Sequence, residues 1–515
     1  MSSDPEPGRQ SPWRTAALLS YPFLLAGYPV IALRAHNITY VDLPSILRSL
    51  LLVIAGTAFV YAITWLLVRG LEKASVITSL IAIWFLSYGH LYLRIAEISG
   101  EPPRHSVLVI TSLLVLSLVI LLVLKYAGLA GVLAQFLAVA SLILLGMALY
   151  QTLRYDIGES RAAAASAQQG PAAPRTPSNE KLPDFYWIIL DGHTRSDVLQ
   201  SRFGYDNSDF IQQLNAMGFY VADCSQSNYA STKLSLTSSF YGDYIPNIVP
   251  EGEILPPLNS SPLYMTLKSL GYQIIAFENR AAGHFDLKED VLLSRKQTAF
   301  GGVNLTGGLS EFEKMMIDTS FLRFVVDTEL IPGFNNTTTQ KWELWEHYYQ
   351  TNYILSELEK LPETPGPKFV FVHVMVPHSP FIYAPDGSFQ PNNSSIGGYR
   401  DNTAFIDSRL PAVLQAIIAK SDPTPIILIM GDHGPATRKS ITKEMRMATL
   451  NAYLVDEAAK ANLYPTITPI NATRILLNAH FGGDYPLLED ASYYAYKPAE
   501  LPEAEVIVAP CPMTP

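Results

Sequence analysis

The 515 residues are more than one ordinary domain needs, and 49% of them are hydrophobic against 16% charged. A formal net charge of −10 excludes nucleic acid as a principal partner, because phosphate binding needs a positive field. Two cysteines, Cys224 and Cys511, are too few for a disulfide framework or a cysteine metal cluster; they could form one disulfide in an oxidising compartment or stand as free thiols.

The apolar residues are concentrated in the first third. Residues 15–33, 49–68, 74–93, 106–124 and 126–153 contain no Asp, Glu, Lys or Arg, and each is close to the roughly 20 residues that a bilayer-spanning helix requires. Helices of a soluble bundle keep a polar face, so these stretches predict a transmembrane domain of about five helices over residues 1–154. Positive charge does not orient it. Arg9, Arg14, Arg69, Lys73 and Lys125 would lie inside if the N-terminus is inside, and Arg34, Arg48, Arg94, Arg104 and Arg154 outside. An odd number of spans still separates the two ends, so an inside N-terminus puts everything after Arg154 outside the cell membrane.

From Gly158 to Pro183 the composition turns to Ala, Gln, Pro, Ser and Gly, which predicts a flexible linker over residues 155–183. Beyond it, residues 184–515 alternate strand and helix patterns. Strands are expected at 185–190, 219–222, 272–277, 368–376 and 425–430, and helices at 206–217, 261–270, 342–361 and 410–419. That alternation predicts an α/β domain with a largely parallel central sheet, whose ligands gather beyond the carboxyl ends of the strands.

Ionisable residues stand at those ends. Asp191 follows Leu190 directly, His378 ends the strand that contains His373, and Asp432-His433 follow the apolar run 426–430. Carboxylate and imidazole at one sheet edge are the oxygen and nitrogen donors that Zn²⁺ or Mn²⁺ prefers. Each has a plainer reading alone, since Asp-Gly is a common turn and a strand-end His is commonly solvated.

Asp191-Gly192, the run from Asn228 to Leu236, the run from His373 to Pro380, and Gly431-Asp432-His433-Gly434 together resemble the sulfatase-like enzymes of the alkaline phosphatase superfamily. The layout of spans, linker and catalytic domain resembles lipoteichoic acid synthases and phosphoethanolamine transferases. The resemblance implies an alkaline-phosphatase-like fold for 184–515. It implies Asp191, Asp432 and His433 as metal ligands, Thr232 as both nucleophile and ligand, and His378 as a contact to the transferred group or a second metal. Ser231 is the alternative nucleophile. The implied cofactor is a divalent ion, Mn²⁺, Zn²⁺ or Mg²⁺. A single ion is expected, because no histidine follows His433 until His480. A threonine hydroxyl is scarcely ionised at neutral pH and needs such an ion before it can attack phosphorus or sulfur.

Sulfatases carry their modified residue in a Cys-x-Pro-x-Arg context, whereas the run from Cys224 to Asn228 lacks both the Pro and the Arg. The leading expectation is therefore a transferase that moves a phosphoglycerol or phosphoethanolamine head group from a membrane lipid to an envelope glycan or lipid. Hydrolysis of phosphate or sulfate esters is the alternative, and an inactive binding or scaffolding protein the remote one.

Overall fold

The computed structural model describes residues 12–38, 41, 43–168, 181–249, 254–278, 287–295, 310–331, 336–392, 394–436 and 441–513. The chain divides into two compact units, neither continuous in sequence. One comprises Met1–Asp156 and Lys296–Trp342, the other Ile157–Arg295 and Glu343–Pro515.

The first unit is built on α1 (Pro12–His36), α2 (Leu43–Val68), α3 (Leu71–Ser99), α4 (His105–Lys125) and the part of α5 (Ala127–Gln168) up to Asp156. All five contain a stretch long and apolar enough to cross a membrane. Helix α5 continues past Gly158 into the segment expected to be a linker, because alanine is the best helix former and the run 162–165 is all alanine. Residues 169–180 of that segment lie outside the described residues.

The second unit contains β1 (Phe185–Leu190), α6 (Ser208–Ala216), β2 (Tyr220–Val221), α7 (Thr232–Tyr241), α8 (Pro262–Ser269), β3 (Gln273–Phe277) and β4 (Val291–Leu293). Two helices of the first unit follow, α9 (Glu311–Thr319) and α10 (Leu322–Asp327). After them come α11 (Asn336–Leu358), which belongs to the second unit from Glu343 onward, β5 (Lys368–Val374), α12 (Ser395–Lys420), β6 (Ile426–Met430), β7 (Asn451–Leu454) and α13 (Pro469–Phe481).

Helices α9 and α10 pack on the bundle. Phe312 and Met316 of α9 join a core with Ala26, Val30, Ile46 and Leu86, and Glu313 is paired with Arg48. Asp327 Oδ2 lies 3.0 Å from His105 Nε2, whose Nδ1 meets the Tyr88 hydroxyl at 2.9 Å.

Among the described residues seven strands run in the order β2-β7-β6-β1-β5-β3-β4. The β6-β1, β1-β5, β5-β3 and β3-β4 pairs are parallel, and the β2-β7 and β7-β6 pairs antiparallel. A strand in the middle of such a sheet is covered on both faces, which is why Phe185–Leu190 is buried at every position. Its alternate residues enter different layers. Tyr186, Ile188 and Leu190 pack with Leu355, Leu358, Ile406, Leu410 and Leu414. Phe185, Trp187 and Ile189 pack with Leu236, Phe240, Leu263, Leu267 and Leu476.

Helix α12 begins fifteen residues before the expected helix at 410–419, despite Pro411 inside it. Burial of Tyr399, Phe405 and Ile406 holds its first half, so tertiary packing outweighs the missing hydrogen bond at the proline. Strands β4 and β7 and helices α7, α9, α10 and α13 match none of the elements expected from the sequence. Cys224 and Cys511, 287 residues apart, form a disulfide.

Candidate active site

The central parallel strands end on one edge, and the turns that follow carry the ionisable residues. Asp191 and Gly192 turn the chain after β1; Gly192 takes φ +74°, a conformation costly for any residue with a Cβ. The Gly192 N–H donates to Asp432 Oδ1 at 3.0 Å, tying the turn after β1 to the turn after β6. Asp191, Asp432 and His433 are buried, and one potential ligand atom from each falls within 4.8 Å of the others. His433 Nε2 is 3.2 Å from Asp432 Oδ2 and 3.9 Å from Asp191 Oδ1.

Thr232 opens α7, and its hydroxyl lies 3.2 Å from His433 Nε2. Ser231 turns its hydroxyl elsewhere, donating to the Tyr496 carbonyl at 3.1 Å. The structure thus brings Thr232, Asp191, Asp432 and His433 together and leaves Ser231 aside. His378 borders the same group. Its backbone N–H donates to the Asp191 carbonyl at 3.0 Å, and its Nδ1 is 2.7 Å from the Ser379 carbonyl.

Each member of the cluster has one side engaged and one side free. His433 Nδ1 is 3.0 Å from the Gly434 carbonyl, which assigns the proton to Nδ1 and leaves the Nε2 lone pair toward Thr232 and the carboxylates. Asp191 Oδ2 faces His373 Nε2 at 3.1 Å. Asp191 Oδ1 and Asp432 Oδ2 are buried and have no hydrogen-bond partner among the described residues. Buried carboxylate oxygens left bare are costly unless a cation compensates them. Two carboxylates, an imidazole nitrogen and a hydroxyl converging in this way fit one divalent ion.

The electrostatics agree with that fit. Burial pushes the Asp191 carboxyl up, but the charge of His378 and the hydrogen bond and charge of His373 outweigh it and hold the group well below the ordinary carboxylate range. Burial, then the Arg446 charge, lowers His433 to about 4, so its imidazole is neutral and able to act as a ligand. For His373 burial acts downward, and hydrogen bonding and attraction to Asp191 more than reverse it.

Three residues of this neighbourhood were not assigned from the sequence. The sequence places His373 inside a strand and in the run that carries the resemblance but gives it no role; a histidine inside an apolar run needs a partner, and here that partner is Asp191. Arg446 is buried and donates to the carbonyls of Ala230 and Gly434, and no local pattern marks it. His347, on α11, feels the charges of both His378 and Asp191.

Residues 183–471, more than half of the chain, match the family described as Sulfatase. The chain belongs to the sulfatase family. Membership accords with an α/β domain built on a mostly parallel mixed sheet and with an enzyme of the alkaline phosphatase superfamily. Among solved structures, this sulfatase-family chain is similar to the C-terminal periplasmic domain of EcEptC from Escherichia coli, at 12% identity and TM-score 0.41, covering 63% of this chain and 93% of that one. It is also similar to the integral membrane lipooligosaccharide phosphoethanolamine transferase A from Neisseria meningitidis, at 12% identity and TM-score 0.39, covering 91% and 95%. A third is the lipoteichoic acid synthase LtaP from Listeria monocytogenes, at 11% identity and TM-score 0.36, covering 62% and 77%. No curated protein matches the chain.

Proposed function

We propose that this sulfatase-family protein is a membrane-anchored phosphotransferase that moves a head group of the phosphoglycerol or phosphoethanolamine type from a lipid to an envelope glycan or lipid. The observation that carries this reading is the Thr232 hydroxyl 3.2 Å from His433 Nε2, beside two bare buried carboxylate oxygens. Asp191, Thr232, Asp432 and His433 would hold one divalent ion. Such an ion lowers the cost of ionising a hydroxyl and of gathering charge on phosphoryl oxygens. In the first step Thr232 gives up its hydroxyl proton as Oγ1 bonds to phosphorus, the bond from phosphorus to the diacylglycerol oxygen breaks, and that oxygen takes up one proton and leaves as an alcohol. An acceptor hydroxyl then gives up its proton as its oxygen bonds to phosphorus, the bond from phosphorus to Thr232 Oγ1 breaks, and Thr232 takes a proton back. His378, at the rim, supplies a hydrogen bond to the transferred group.

Five candidate spans favour a lipid donor, since a tether to the bilayer raises the effective concentration of a substrate confined there. Such lipid-linked chemistry belongs to the outer face of the cell membrane, with the N-terminus inside. Hydrolysis of a phosphate or sulfate ester by the same residues is the second reading, favoured by the family match itself. The absence of the Cys-x-Pro-x-Arg pattern around Cys224 weighs against the sulfate branch.

The test is incubation of the purified chain with a panel of labelled phospholipids, without acceptor, followed by peptide mass spectrometry. A peptide containing Thr232 and heavier by the head group is expected. An adduct on Ser231 moves the nucleophile by one residue. Release of free head group with no adduct, and no gain from any acceptor, supports the hydrolase instead.

A further inference from the structure

Helix α11 packs its last turns on one face of the sheet, and its middle is anchored to segments that follow two of the strands. On one side Trp345 stacks on Phe389 with ring centroids 3.7 Å apart, and Tyr348 stacks on Tyr383 at 5.2 Å. Tyr348 also donates its hydroxyl to the Gly387 carbonyl at 3.2 Å, and Tyr383 donates to the Tyr348 carbonyl at 3.0 Å. All of these partners belong to the segment that starts at His378 and leads into α12. On the other side Gln350 Nε2 donates at 2.8 Å to the carbonyl of Glu278, the residue directly after β3, and Glu346 pairs with Arg295 at 2.5 Å. The helix thereby bridges the segment after β5 and the carboxyl end of β3. His347 lies between these anchors, close enough to His378 and Asp191 to feel both charges. Its Nε2 is closed off from solvent and has no hydrogen-bond partner among the described residues.

An imidazole nitrogen held beside a reaction site with its bonding capacity unused is costly unless something else completes it. The aromatic anchors hold the helix without the imidazole, so packing alone does not call for a histidine there. We propose that His347 is a further catalytic residue, its Nε2 hydrogen-bonding an oxygen of the transferred phosphoryl group alongside His378. The inference rests on the phosphotransferase reading. It adds a donor from a helix that contributes none of the expected ligands, and it makes α11 part of the substrate site.

The experiment uses the full chain in detergent, loaded with Mn²⁺ or Zn²⁺, and compares the wild type with His347→Leu and His347→Gln. Metal per chain, the dissociation constant for inorganic phosphate, and turnover of phospholipid and aryl sulfate substrates are measured. His347→Leu should keep its metal, weaken phosphate binding by about tenfold, and lower kcat by about a hundredfold, the usual scale for losing one transition-state donor. His347→Gln, which keeps an N–H donor, should recover part of both losses and guards against a folding defect in the leucine variant. Unchanged phosphate affinity and turnover in His347→Leu would overturn the proposal, as would loss of metal in proportion to activity. A wild type that turns over only the sulfate ester removes the phosphotransferase reading, yet selective loss of that turnover in His347→Leu still assigns His347 to the transferred group.

Discussion

The Arg446 guanidinium donates to the Ala230 carbonyl through both Nε and Nη2, at 3.0 and 2.7 Å. Its Nη1 donates to the Gly434 carbonyl at 2.9 Å. One buried cation therefore joins the segment entering Thr232 to the segment leaving His433, and a planar fork suits that geometry where an ammonium does not. Arg446→Lys should lower kcat by about tenfold or more while KM changes little, because misplacement of reacting groups by a fraction of an ångström is felt in the chemical step. Steady-state kinetics beside thermal unfolding checks this; a loss of activity wholly explained by unfolding contradicts it.

Replacing Asp432 by Asn or His433 by Gln should release the metal and abolish turnover together, since each removes one of few donors. His378→Gln should retain the metal and slow transfer by about a hundredfold. Elemental analysis of the purified variants, set against their rates, separates the two classes. Full metal in both Asp432→Asn and His433→Gln would place the ion elsewhere.

In the metal-free protein the folded pKa of His433 is about 4, below its ordinary value of 6.5. The folded state therefore binds fewer protons than the unfolded state between these values, so stability falls as pH drops through that window and is flat above about pH 7. For one group the loss approaches about 3 kcal/mol at the acid end. His347, also lowered to about 4, acts in the same sense. Melting temperatures measured without metal should fall from pH 7 to pH 4, and His433→Gln should flatten the slope. An unchanged slope would mean that other groups govern acid stability.

Gly89 of α3 allows α9 to approach closely: a Cβ there would fall 2.2 Å from the Asp318 carbonyl oxygen. Gly89→Val should push the end of α9 off the bundle and destabilise the first unit by about 1–3 kcal/mol, the usual cost of overpacking. Limited proteolysis of the chain in detergent should show faster cleavage within 310–331, with metal content unchanged. Wild-type resistance would show that the contact relaxes without cost.

The sequence by itself determined the five apolar helices and the strands that end in Asp191 and Asp432-His433. Both signals are local: twenty uncharged residues favour lipid wherever they occur, and a strand buried on both faces is apolar throughout. Tertiary structure alone decided that Thr232 and not Ser231 faces His433, because adjacent hydroxyls at a helix start differ only in direction. It also decided the Cys224–Cys511 pairing and the return of 311–327 to the first unit. The approach of His347 and Arg446 to the site belongs with these. Each joins residues far apart in the chain, where no window of sequence carries the distance; packing of separate elements sets it.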